Sequence, residues 1–186
     1  MDDREAFVRY REIAIYWYNK SSDLRGSAAA LWVSREDEMS RRVVQECGLG
    51  SSFHLGAAVP SVFRMLAGMS LELVYKATLA ALSSKIPHTH ELERLATLAG
   101  VVVDAEDVAL LEILTGAIVW DGRYPVPKTA EAYETHRNLE YDRLFDKEPL
   151  GGRFVVSTPN GALNWAGFDR LWGSGSTKFW ERYEPR

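Results

Sequence analysis

Residues 60–82 read PSVFRMLAGMSLELVYKATLAAL, and their spacing decides the fold. Leu66, Met69 (with Ser70), Leu73, Ala77 and Ala80 recur at three- and four-residue steps, which is one face of a helix. Phe63, Leu71 and Val74 widen that face, so the helix is expected to be central and buried on more than one side. Pro60 or Ser61 can start it, and Ile86-Pro87 closes it. Glu72 and Lys76 stand four apart in the order that favours an ion pair.

Upstream, Phe7, Tyr10, Ile13 (or Ala14) and Trp17 form a helical stripe over Asp3 to Lys20. Asp23-Leu24 and Ser27-Ala28-Ala29-Ala30-Leu31-Trp32 continue it, with Gly26 as a weak point. Ser34–Arg42 mixes both charges and reads as a solvated helix face or connector, and 47–52 reads as a loop. Downstream, a short helix opens at His90-Glu91-Leu92 and stops at Gly100. Asp104-Ala105-Glu106-Asp107 has the pattern of a capped, acidic helix start. The helix it opens carries Val108, Leu111, Leu114 (or Thr115) and Ile118 inward and ends at Trp120-Asp121-Gly122. Tyr124 and Val126 each precede a proline, so Arg123–Pro127 must run extended. Thr129 to Asp146 is again helical, though polar, and 151–157 holds at most one short strand.

The expected architecture is therefore all-α: an antiparallel bundle of four to five helices over residues 1–145, with an aromatic-rich C-terminal extension over 146–186. That extension carries Trp165, Phe168, Trp172, Phe179, Trp180 and Tyr183, with Gly173-Ser174-Gly175 as a turn between two aromatic helices. It either closes over the bundle or docks a second subunit, and closure within the chain is the commoner outcome.

Composition excludes several classes. The chain has 186 residues and 22 Lys+Arg against 26 Asp+Glu, a net charge of −4, which argues against coating nucleic acid by bulk charge. One cysteine, Cys47, excludes an intramolecular disulfide framework and a CxxC zinc module. No uninterrupted apolar stretch reaches membrane-spanning length, and the start Met1-Asp2-Asp3-Arg4-Glu5 is acidic where a signal peptide would be basic. A cytoplasmic protein without a membrane partner is expected.

Most motif-like stretches reduce to structure. Gly48-Leu49-Gly50 lacks the third glycine of a dinucleotide loop. His88 and His90 stand two apart and do not share a helix face, so His90 or Thr89 is expected to help cap the following helix, with Glu91 at its positive end, rather than hold a metal; a third ligand would have to come from elsewhere, such as Asp104 or His136. No metal and no cofactor is expected. No Gly-x-Ser-x-Gly elbow is present, and Cys47 has no partner signature. The strip Trp120-Asp121-Gly122-Arg123-Tyr124-Pro125-Val126-Pro127 stays open to two readings. Arg123 can fork onto a phosphate with Trp120 or Tyr124 as a stacking face. Alternatively, both aromatics plug the bundle end while Arg123 pairs with Asp121 or a terminal carbonyl.

The order of these features resembles HEPN domains over residues 7–128. Tyr16-Trp17-Tyr18 with Asp23-Leu24 resembles their opening, Glu72-Leu73-Val74-Tyr75-Lys76-Ala77 their long second helix, and His90-Glu91-Leu92 their His-Asp-Leu helix start. The exit Trp120…Arg123-Tyr124-Pro125-Val126-Pro127 resembles a subset of that family. The resemblance implies an antiparallel bundle, often dimeric, in bacterial defence, toxin–antitoxin and RNA-processing systems. Many members are metal-independent ribonucleases, with an Arg and a His separated by four to six residues. A guanidinium there stabilises the phosphorane charge and an imidazole moves a proton. No arginine stands in that window before His54, His88, His90 or His136; Lys85, five before His90, is the nearest approach and lacks the planar fork.

The resemblance without its signature implies binding rather than catalysis: a dimeric component of a defence or stress-response module that takes RNA, nucleotide or a protein partner, with Arg123, Tyr124, Trp120 and His90 as the binding residues. The alternative is a toxin-like, metal-independent endoribonuclease with a non-standard site, using His90 as acid/base and Arg123 or Lys85 as charge stabiliser. A structural scaffold subunit is the third possibility.

Overall fold

The structure, a computed structural model, describes residues 2, 4, 10, 13–82, 85–150 and 154–184. Its elements are α1 (Ala14–Ser34), α2 (Asp37–Glu46), α3 (Leu55–Ala81), α4 (Leu92–Ala99), α5 (Ala105–Gly116) running into a π-helical turn (Ala117–Asp121), α6 (Ala130–Leu144), β1 (Phe145–Leu150), β2 (Phe154–Pro159) and α7 (Trp165–Trp180). The chain is mostly helical, with a two-stranded antiparallel sheet. The expected all-α bundle of four to five helices is corrected on both counts: the described residues hold seven α-helices and a β-hairpin. The hairpin exists because Phe154-Val155-Val156-Ser157-Thr158 is a β-branched run that pairs with 145–150 in register Phe145↔Pro159 to Leu150↔Phe154. The expected stripe residue Phe7, and Gly151–Arg153 of the expected strand, lie outside the described residues.

Helix α3 starts five residues before Pro60, at Leu55, with His54 as its N-cap. The proline lies inside the helix, in its second turn, and removes the bond that a backbone N–H there would give the Gly56 carbonyl. From Ala67 to Leu79 the helix is buried nearly all round, with Ala67, Leu71, Val74, Tyr75 and Ala77 fully enclosed. Each large apolar side chain so buried contributes about 1.5–3 kcal/mol. By length and composition α3 is apolar enough to cross a membrane. In this fold it is the element on which the others pack.

Helix α1 runs antiparallel to α3, with Trp32 against Phe63 at one end and Ala14 beside Ala77 at the other. At mid-crossing the Ser21 hydroxyl donates to the Ser70 carbonyl at 2.7 Å, and the Ser70 hydroxyl returns the bond to the Ser21 carbonyl at 2.8 Å. Trp172 of α7 donates its indole N–H to Ser21 Oγ at 2.8 Å, so three helices meet at one buried polar point. Gly26 does not break α1, which is continuous through it.

The C-terminal aromatic segment folds into this core. Helix α7 lies parallel to α3: Phe168 meets Phe63, and Gly175 faces Val74 and Tyr75. The bundle is therefore not wholly antiparallel. Gly173-Ser174-Gly175 lies inside α7 and is not a turn. Gly175 is there for close approach, because a Cβ at that position would lie 2.9 Å from both Tyr75 Cε1 and Val74 Cγ1. Phe168, Leu171, Trp172 and Phe179 are buried.

Helix α5 is antiparallel to α3 and opens with a capping box in which Asp104 accepts from the Asp107 N–H and Asp107 accepts from the Asp104 N–H. Arg170 of α7 forks onto the Asp107 carboxylate. Burial works to raise the Asp107 pKa, and the bonds from Arg170 and Asp104 outweigh it, holding the group below its ordinary value.

The two glycines of α7 separate packing from propensity. Gly175→Ala should cost about 1–3 kcal/mol in urea unfolding by overpacking against Tyr75. Gly173→Ala meets nothing within 4 Å and should stabilise by up to about 1 kcal/mol. Equal effects at the two positions would contradict the packing of α7 on α3.

Candidate functional site

Helix α3 carries three charged side chains into its packed length, Arg64, Glu72 and Lys76, and each anchors a polar cluster. Glu72 and Lys76 lie one helical turn apart, each with a side chain only 9% exposed. Lys76 Nζ donates to Glu72 Oε1 at 2.6 Å. The second carboxylate oxygen, Oε2, takes His90 Nδ1 at 2.9 Å. His90 itself is 60% exposed by side chain, so a buried carboxylate grips one nitrogen of an outward imidazole. With Nδ1–H donating to Glu72, Nε2 is left to face solvent as acceptor or proton carrier.

The chain is turned to make this contact just before α4. Thr89 Oγ1 accepts from the Glu91 N–H at 3.1 Å, and Thr115 Oγ1 accepts from the Leu92 N–H at 3.1 Å, so two hydroxyls satisfy donors at the helix start. His90 is thereby freed from capping. Of the two expected capping residues, Thr89 takes the role and His90 does not, and Thr115 adds a second hydroxyl.

Arg64 anchors the second cluster. Its guanidinium donates to Glu140 Oε1 of α6 and lies 3.5 Å from Asp121 Oδ2 of the π turn. His136 Nε2 lies 3.5 Å from the same Glu140 oxygen. Burial works to raise the Glu140 pKa, but the bonds and charges of His136 and Arg64 outweigh it and hold the carboxyl below its ordinary range. The Trp120 ring meets the His136 ring edge to face at 5.0 Å.

The sequence-selected residues divide between these places. His90 joins Glu72 and Lys76. Trp120 joins His136. Arg123 NH2 donates to the Ile118 and Val119 carbonyls at 2.8 Å each and so caps the end of the helix. Its guanidinium carbon is 5.6 Å from the Tyr124 ring, and Tyr124 is exposed. Lys85 is exposed and makes no ion pair among the described residues. No hydrogen bond or ring contact among the described residues joins His90 to Trp120, Arg123 or Tyr124. The contacts described therefore join His90 to Glu72, Trp120 to His136, and Arg123 to Tyr124. Sequence reasoning noted Glu72 and Lys76 only as a helix pair, although their distance from any exposed face of α3 was a signal that they had to find partners. It missed Arg64 altogether, because Glu140 lies 76 residues away.

A separate open groove of about 930 Å³ lies between α2 and the chain leading into α3, lined by Arg35, Arg41, Phe53 and His54 among others. It shares no residue with either cluster. No family model matches the chain, and neither a curated protein nor a solved structure matches it.

Because Lys76 and Glu72 are both buried, removing one leaves the other uncompensated. Glu72→Gln should lower unfolding stability by about 3 kcal/mol, while the double variant Glu72→Gln/Lys76→Met should recover most of that loss. Additive losses in the double-mutant cycle would show that the two charges are independently solvated.

Proposed function

We propose that the chain works by binding: a non-catalytic, HEPN-like helical module whose partner bears phosphate groups, RNA or nucleotide, and which serves as a dimer in a bacterial defence or stress response. The observation that carries this is the His90 imidazole held outward by buried Glu72, with Lys76 balancing the carboxylate's charge. Held at Nδ1 by Glu72, the imidazole presents Nε2 at little entropic cost, and Nε2 donates to a phosphate oxygen when the ring carries a proton on both nitrogens. Arg123 supports the same proposal from the far end of α5. Only its NH2 group is used on carbonyls among the described residues, and Tyr124 stands exposed next to it. The resemblance of 72–77 and 90–92 to HEPN elements gives the setting.

One observation favours a second function. A carboxylate bonded to Nδ1 of a solvent-facing histidine is also the arrangement of a general acid/base. An endoribonuclease using His90 would need a cation to stabilise charge on the phosphorane, and Lys76 is already paired with Glu72.

One experiment separates the two. Purified protein is incubated in EDTA with cellular RNA and a defined tRNA, beside His90→Ala and Arg123→Ala. Binding predicts intact RNA, a mobility shift, and a roughly tenfold weaker shift in each variant, equivalent to one charge-assisted bond of about 1.5 kcal/mol. Cleavage lost in His90→Ala would establish the enzyme instead. Neither shift nor cleavage, with every protein folded, would overturn both.

A further inference from the structure

Helix α6 is polar along most of its length, and His136 is its one buried residue. The imidazole fits a hollow made by a glycine: a Cβ at Gly116 would lie 2.5 Å from His136 Cε1 and Nδ1. Trp120 closes one side of the ring. The π-helical turn 117–121 then presents Asp121 to the same spot, and Glu140 follows His136 by one turn of α6. One ligand atom each from Asp121, His136 and Glu140 fall within 4.8 Å of one another.

Two features of this cluster remain unsatisfied by protein alone. Asp121 Oδ2 and His136 Nε2 are both buried, and each has only an ion-pair contact at 3.5 Å, to Arg64 and Glu140 respectively, in place of a well-formed hydrogen bond. His136 is only 8% exposed, so Nε2 is withdrawn from water without a well-formed hydrogen bond, at a cost that a native structure normally avoids. Charge points the same way. With His136 neutral, as a metal ligand must be, two carboxylates against one guanidinium, Arg64, leave one negative charge in a largely enclosed space.

We propose that Asp121, His136 and Glu140 form a binding site for a divalent transition-metal ion, zinc by the character of its donors. One imidazole and two carboxylates are the nitrogen and oxygen donors zinc takes at about 2.0–2.2 Å, and three protein ligands leave a fourth position for water. Bonds of that length place neighbouring ligands of a tetrahedron roughly 3.4 Å apart. His136 Nε2 and Glu140 Oε1 already stand 3.5 Å apart. Asp121 closes the remaining gap by a side-chain adjustment at the end of the π turn. Arg64 already donates to Glu140 Oε1 and lies near Asp121 Oδ2, so it competes with the ion for the carboxylates. The ion would tie α6 to α3 and to the end of α5 at a single point.

The test is titration of EDTA-stripped full-length protein with Co²⁺ as a coloured probe, followed by displacement with Zn²⁺. The site predicts one Co²⁺ per chain with a tetrahedral visible spectrum, bleached by zinc. His136→Gln and Asp121→Asn should each weaken binding on the order of 100-fold. His90→Ala should bind as wild type, which separates this site from a surface histidine. Should the ligand variants fail to fold, Arg64→Gln keeps all three ligands, removes the competing cation and should bind cobalt more tightly. No tetrahedral spectrum in wild type and Arg64→Gln, or one that survives His136→Gln and disappears in His90→Ala, would overturn the site.

Discussion

A helix buried on nearly every side cannot leave a charge to water, and α3 carries three. Arg64, Glu72 and Lys76 therefore dictate much of what surrounds them. An unpaired ion in such a place costs several kcal/mol even after relaxation, more than the margin of a typical domain can spare. Glu72 and Lys76 solve part of the problem within the helix, at i and i+4. Glu72 has a second oxygen, and the loop before α4 must bring His90 to it. Arg64 has no partner on α3, so α6 and the π turn supply Glu140 and Asp121. The two candidate sites are consequences of one core helix that needed its charges met.

What lets the neighbours come close enough is a set of small residues. Ser21 and Ser70 allow α1 and α3 to cross with reciprocal hydroxyl-to-carbonyl bonds, and Trp172 adds a third donor to that point. Gly68 admits Leu114 and Ile118 of α5 and its π turn, and Gly175 admits Tyr75. Aromatic rings then fill the volume these contacts define: Tyr18 stacks on Phe179 at 4.5 Å, and Phe63 lies between Trp32 and Phe168. Tyr75 shows the cost of such packing. Its hydroxyl is buried without a hydrogen bond, and burial, with Asp107 nearby, pushes its pKa up.

Local signals in the sequence were legible where local physics decides. The long helix at 60–82, the Asp104 cap and the stop at Gly100 follow from periodicity, side-chain caps and a left-handed glycine with φ 73°. The start of α3 was hidden because Pro60 reads as a first-turn residue, whereas the helix tolerates it one turn later. Gly173-Ser174-Gly175 reads as a turn by composition, and only the approach of Tyr75 from α3 explains why glycine belongs in a helix there. The hairpin was half visible: β2 has strand composition, but Asp146-Lys147-Glu148 in β1 has none. His90 could be selected from its helix-start motif. Its partner could not, because a contact across 18 residues has no signature until the helices are placed. A search for Arg shortly before His fails for the same reason to find Arg64 and His136, which converge on Glu140 from different helices.

The central claim is that a buried carboxylate fixes the orientation of His90 and leaves Nε2 outward. Acid/base function uses Nε2 in its unprotonated state, and phosphate binding uses the same outward nitrogen once the ring has taken up a second proton. Long-range ¹H–¹⁵N correlation on the imidazole reads it directly, above the pH at which the ring takes up a second proton. The account predicts a proton on Nδ1, donating to Glu72, and an unprotonated Nε2. A dominant Nε2–H tautomer would contradict it, because Nδ1 would then have no proton to give the carboxylate.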